Sequence, residues 1–194
     1  HMRNLVLTIA ALFSAVMVMS AAECKFEVLS PDATLKAEVV LGESVSYSVW
    51  KNSQKILEPS CISMELSDGT FFGKGASLKK ATRSKADNVL SAPFYKKSQV
   101  VEKYNELTLT FKTHKIIFRV YDAGVAYRFE SLKKGDYQVV NEKAEFAFPS
   151  DNKAWIPYVK RNKKGSSQFM NSFENLYTCS ELSAWNKEGF AFLP

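Results

Sequence analysis

The chain has 194 residues, with 26 Lys and Arg against 20 Asp and Glu for a formal net charge of +6, and 46% of it is hydrophobic. That balance excludes a disordered chain, and the length suits one domain with a substantial core. Basic and acidic residues are interleaved; the exception, Lys160-Arg161-Asn162-Lys163-Lys164-Gly165, reads as a solvated loop, so no nucleic-acid partner is expected.

His1-Met2 reads as a cloning remnant ahead of a natural start. Arg3 then leads into residues 5–22, an uncharged apolar run closing on Ser20-Ala21-Ala22, small residues that suit a signal peptidase. Residues 1–22 are therefore expected to be remnant plus secretory signal, and 23–194 one exported domain with no stable membrane anchor. Glu23 is a poor fit to the small residue that a lipoprotein signal would need before Cys24.

From residue 25 the apolar period is two. Phe26 and Val28, then Leu35, Ala37 and Val39, then Val45, Tyr47 and Val49 alternate between turn residues, predicting a meander over 25–30, 34–40 and 44–51. Another strand is expected over 62–66, before the Asp68-Gly69 turn. Residues 73–92 lack sustained periodicity and read as loops with at most one short strand. Order returns in 104–112 and 114–121. The next segment, Arg119-Val120-Tyr121-Asp122-Ala123-Gly124-Val125-Ala126-Tyr127-Arg128-Phe129, has the pattern of a hairpin whose glycine can take positive φ. Residues 137–140 and 144–148 are expected to extend the sheet, with a helical turn near 182–185. So many alternating strands require paired antiparallel sheets, because one sheet could not cover so much apolar surface. The chain closes on Phe190-Ala191-Phe192-Leu193-Pro194, which reads as the start of a further strand in a longer protein.

Few residues offer chemistry. His114 is the sole histidine beyond the cloning remnant and is expected to face solvent in a turn, which disfavours Ser-His-Asp, Cys-His and zinc mechanisms. No phosphate-binding fingerprint is present. Cys24, Cys61 and Cys179 have no metal-ligand spacing; an oxidising compartment would permit one disulfide and leave one thiol, with the pairing open. Glycoside hydrolysis needs two placed carboxylates and neither histidine nor cofactor. Glu174, between Phe173 and Tyr177, could offer oxygen to a hard cation such as calcium, or could simply face water. Trp155 could stack on a sugar ring, or fill the core. Arg119 and Arg128 are expected to pair with carboxylates.

In chain order, the segments Leu29-Ser30-Pro31-Asp32, Val45-Ser46-Tyr47-Ser48-Val49, Leu66-Ser67-Asp68-Gly69-Thr70, Tyr104-Asn105-Glu106-Leu107-Thr108-Leu109, the Arg119–Phe129 hairpin, Ala154-Trp155-Ile156-Pro157 and Phe173-Glu174-Asn175-Leu176-Tyr177 resemble the N-terminal domain of glycoside hydrolase family 97. The resemblance implies an all-β, antiparallel β-super-sandwich of the galactose-mutarotase type, here incomplete at its C-terminal end. It also implies a following TIM barrel that holds the catalytic acid and base, beyond Pro194, and a small C-terminal β-domain. An exported enzyme of a Gram-negative periplasm or cell surface is implied, cleaving α-glucosidic or α-galactosidic bonds of an oligosaccharide with calcium at the site. Glu174 is the best match to the family's calcium-ligating glutamate, with the domain's own catalytic barrel as its packing partner. The rival is a free-standing carbohydrate-binding sandwich using aromatics such as Trp155.

Overall fold

A computed structural model describes residues 24–159 and 174–192; the expected signal segment and the basic run at 160–165 lie outside them. The strands, in order, are β1 (Cys24–Leu29), β2 (Leu35–Leu41), β3 (Val45–Lys51), β4 (Gln54–Leu66), β5 (Phe71–Phe72), β6 (Lys80–Ser91), β7 (Gln99–Thr110), β8 (His114–Tyr121), β9 (Gly124–Ser131), β10 (Val139–Ala144), β11 (Lys153–Ile156) and β12 (Thr178–Glu181), followed by a 3-10 turn, Leu182–Ala184. A six-stranded sheet runs β1-β2-β3-β4-β10 with β5 also on β4, a four-stranded sheet runs β6-β7-β8-β9, and β11 and β12 form a separate hairpin. Every pairing among these strands is antiparallel.

The two larger sheets pack face to face. Val28, Ala37, Val39, Val45 and Tyr47 from one meet Leu107, Leu109, Ile116, Phe118 and Val120 from the other in a single buried cluster. Tyr47 bridges the layers, its ring centroid 5.8 Å from Phe118 and 5.6 Å from Tyr127. These are the residues that period-two alternation assigns to an inner face, and the expected sandwich is the observed one.

Three elements depart from expectation. β4 starts at Gln54 rather than near Ile62, because Pro59 discourages a strand reading; the register with β3 shifts between Tyr47 and Val49, and Pro59 sits in that bulge, where its missing N–H breaks no ladder. β6 occupies what reads as loop. Its residues are nearly all exposed, so no alternation betrays it, and the pairing of Lys80–Ser91 with β7 alone defines it. One strand, β10, replaces the two expected over 137–148, and Phe146 and Phe148 lie beyond it, 60% and 47% exposed.

The Arg119–Phe129 hairpin also ties the layers at its tip. The Asp32 N–H donates to Asp122 Oδ1 at 2.9 Å, while the Asp32 carboxylate accepts from Ser30 Oγ at 2.6 Å and from the Thr34 N–H at 2.9 Å. Those donors, Ser30 foremost, lower the Asp32 pKa to about 2. Asp122→Ala is expected to lower stability by about 1 kcal/mol and Asp122→Asn, which keeps an acceptor, by less, as read from urea midpoints.

Candidate functional site

The candidates of the sequence gather on the last module of the chain. β11 and β12 pair with Trp155 opposite Cys179 and Ile156 opposite Thr178. Just after β11, Tyr158 is the anchor: its hydroxyl accepts the Asn186 N–H at 2.8 Å, and its carbonyl accepts Asn175 Nδ2 at 3.3 Å. Gly189 packs against its ring, where a Cβ would come within 2.6 Å of two ring carbons. Asp151 closes the base of the module by accepting the Ser183 N–H at 2.9 Å and the Ser183 hydroxyl at 2.6 Å, and these bonds lower its pKa.

Trp155 is 63% exposed, so it is not a core residue: strand alternation on β11 turns Ala154 and Ile156 inward and the indole outward. Glu174 is exposed, one residue before the Asn175 contact to Tyr158. One module therefore presents both side chains. Leu176 is 94% exposed and Tyr177 48%, and an open groove of about 580 Å³ is lined by Phe146, Phe148, Asp151, Ser183 and Trp185. Sequence reasoning does not single out this groove, since its aromatics come from a segment that reads as sheet and from a turn.

For a hard cation, Glu174 supplies one suitable oxygen donor. Among the described residues no group of three His, Cys, Asp or Glu side chains could hold a metal ion. Calcium takes six to eight oxygens, so the Glu174 carboxylate alone makes no calcium site.

Several other ionisable groups are engaged within the fold. Arg119 donates through Nε to Glu106 Oε2 at 2.8 Å, lies 3.6 Å from Glu102, and stacks its guanidinium over Tyr104. Arg128 pairs with Glu130 at 3.8 Å. Lys133 hydrogen-bonds Asp68 and holds that carboxyl well below its usual range; Lys115 does the same, less strongly, for Glu130. Wherever a described Asp or Glu shows a shift, the shift is downward, toward the ionised form. A glycosidase general acid needs the opposite.

His114 is fully buried rather than solvent-facing. It is stacked between Phe72 and Phe111, with centroids at 4.6 and 4.5 Å, and its Nε2 accepts the Gly73 N–H at 3.0 Å. That bond requires an unprotonated Nε2, leaving the proton on Nδ1, 3.1 Å from Thr113 Oγ1. All three cysteines are free, Cys24 and Cys179 exposed and Cys61 half-buried, so the permitted disulfide is not formed.

Residues 28–194 match the family model of the glycosyl-hydrolase 97 N-terminal domain. The chain belongs to that family. A retaining alpha-galactosidase of Bacteroides thetaiotaomicron is 43% identical over 176 residues, which cover 89% of this chain and 27% of that protein. The glycosyl-hydrolase 97 N-terminal chain thus spans about a quarter of the length of this relative. Among solved structures, a glycoside hydrolase family 97 enzyme of Pseudoalteromonas sp. strain K8, in complex with panose, shares the fold at TM-score 0.66 and 22% identity, over 80% of this chain and 24% of that one. A beta-arabinopyranosidase structure matches at TM-score 0.66 and 27% identity, over 79% of this chain and 26% of its own.

Proposed function

We propose that this domain is the N-terminal sandwich of an exported glycoside hydrolase that acts on α-galactosidic or α-glucosidic bonds of oligosaccharides. The observation that carries the reading is the 43% identity to a retaining alpha-galactosidase across nearly the whole described domain. No described Asp or Glu with a shifted pKa has it raised, and this reading assigns the reacting carboxylates to a catalytic barrel on the same polypeptide. The exposed groove around Phe146, Phe148 and Trp185 is apolar surface that such a barrel would cover on docking. Export rests on the apolar run at residues 5–22. N-terminal sequencing of the mature protein, beginning at residue 23, checks it.

In this reading Glu174 is the domain's contribution to a calcium site at the substrate pocket. Its exposure on a module braced by Tyr158 leaves the carboxylate available to a second domain. In the complete polypeptide, Glu174→Gln is expected to weaken calcium binding about tenfold, since hard-cation affinity follows ligand charge, and to lower hydrolysis of nitrophenyl α-galactoside or α-glucoside in parallel. Unchanged calcium affinity would remove Glu174 from the site. A complete polypeptide inactive on both glycosides would sink the enzymatic reading. The outward indole of Trp155 favours the alternative, a free-standing carbohydrate-binding sandwich. Calorimetry separates the two: binding of maltooligosaccharides by residues 23–194 alone would favour the module.

A further inference from the structure

Among the described residues β6 forms an open edge of the four-stranded sheet, 12 residues long. Its partner β7 is backed by β8 only over residues 105–110, so residues 86–91 and 99–104 project as a two-stranded ribbon. At ~3.3 Å per residue the overhang reaches ~20 Å. Ribbons of two strands are marginal in water by themselves, and this one leaves Val89 61%, Leu90 46% and Val101 67% exposed.

The direction of the free hydrogen-bonding groups can be read from the ladder. The Ala92 N–H donates to the Ser98 carbonyl, one step beyond the pair Ser91 and Gln99. Antiparallel alternation then turns the backbone groups of Arg83, Lys85, Asp87 and Val89 away from β7, toward the open side. Around Ala86 the sequence is complementary to itself in charge.

We infer that a second copy of this chain pairs along β6, antiparallel, with the two-fold axis at Ala86. In that register Lys85 faces Asp87 of the second copy and Asp87 faces its Lys85, both at positions whose backbone groups point outward. Ala86 meets Ala86, so no bulk crowds the axis. Ser84 faces Asn88, Thr82 faces Leu90, and Arg83, whose guanidinium donates to the Glu27 carbonyl of its own chain at 2.6 Å, faces Val89. Moving the axis to Lys85 or to Asp87 sets like charges against each other, so the charges fix the register. Asp87 already pairs with Lys103 of its own β7 at 3.2 Å, and a carboxylate can accept both lysines. The interface is isologous, as closed dimers require. It lays the overhang at 86–91 of each copy along residues 81–86 of the other, where that copy's sheet is backed by β8. The same cations, Lys80, Arg83 and Lys85, repel strands that lack matching acids.

Sedimentation velocity of the complete polypeptide tests the pairing and needs no catalytic activity. The expected species is a dimer. Lys85→Asp, whose own cross-strand neighbour Asn105 is neutral, is expected to raise the dimer dissociation constant about tenfold or more, because the introduced carboxylate of one copy then stands against Asp87 of the other. Restoring complementarity with Lys85→Asp, Asp87→Lys and Lys103→Asp together should return the dimer. A wild-type monomer at tens of micromolar overturns the inference, as does a dimer indifferent to Lys85→Asp. A monomer whose amides at residues 83, 85, 87 and 89 resist hydrogen exchange would assign the edge to a later strand of the same polypeptide, and overturns it equally.

Discussion

Acidification from pH 6.5 to about 4 is expected to destabilise the fold by on the order of 3 kcal/mol through one side chain, His114. Burial lowers its pKa to about 4, against 6.5 for the free side chain. Between those values the unfolded chain binds the proton and the folded chain does not, so stability is fully present above 6.5 and is lost as pH falls. Geometry gives the same sign. Protonation of Nε2 would aim a donor at the Gly73 N–H, inside a slot formed by Phe72 and Phe111, aromatic rings that carry no compensating charge. Tyr137 packs on Phe72, ring centroids 6.3 Å apart. Carboxylates whose pKa is lowered, such as Asp32 and Glu145, lose their contributions below their ordinary values of 3.8 and 4.5, under most of the His114 window. Urea midpoints at a series of pH values measure the slope. His114→Gln, which can still accept from Gly73, should flatten it above pH ~4.5; an unchanged slope would show that His114 is not its source.

Gly73→Ala is expected to cost about 3 kcal/mol or more. Gly73 has φ of +76°, a region that side chains disfavour, and a Cβ there would lie 2.8 Å from the Ile62 carbonyl oxygen. The obstacle is backbone of β4 at a position paired with both β3 and β10, so it cannot swing aside. Any relief by moving residue 73 would break two bonds at once: its N–H to His114 and its carbonyl to the Val45 N–H at 2.7 Å. The urea midpoint reads the loss. A second consequence distinguishes this mutation from simple strain. If the alanine variant displaces the Gly73 amide, His114 loses its donor and its pKa should rise, moving the acid transition to higher pH.

The meander and the Arg119–Phe129 hairpin are legible because each strand has one wet and one dry face, which writes period two into the sequence. Where burial is the same on both faces that code disappears, and β6 reads as loop. Pro59 hides the first half of β4 for a different reason: a local rule against proline in strands holds for regular ladders and not for bulges. His114 carries a usable signal that its turn placement obscures. It begins the run His114, Ile116, Phe118, Val120, every member of which is buried. At the candidate site the sequence places Trp155 and Glu174 in one region, and the β11–β12 hairpin with Tyr158 brings them onto one module. The outward turn of the indole follows from alternation over a strand of four residues, too short to outweigh the general tendency of tryptophan to be buried. Glu174 by itself gives no signal of a calcium site, because hard-cation sites collect oxygens from segments distant in sequence.

The pairing of β4 with β10 also bears on how the molecule is made. β1 to β4 can assemble as each follows its neighbour out of the ribosome or translocon. The side of β4 along Ile62–Leu66 that faces away from β3 and β5 waits until Val139–Ala144 has emerged, after the whole second sheet has been delivered. Throughout that interval a hydrogen-bonding edge stands uncovered beside a partly formed apolar core, the circumstance in which nascent β proteins associate with one another. A stall in delivery after residue 131 would leave a species with both sheets begun and the larger one unclosed.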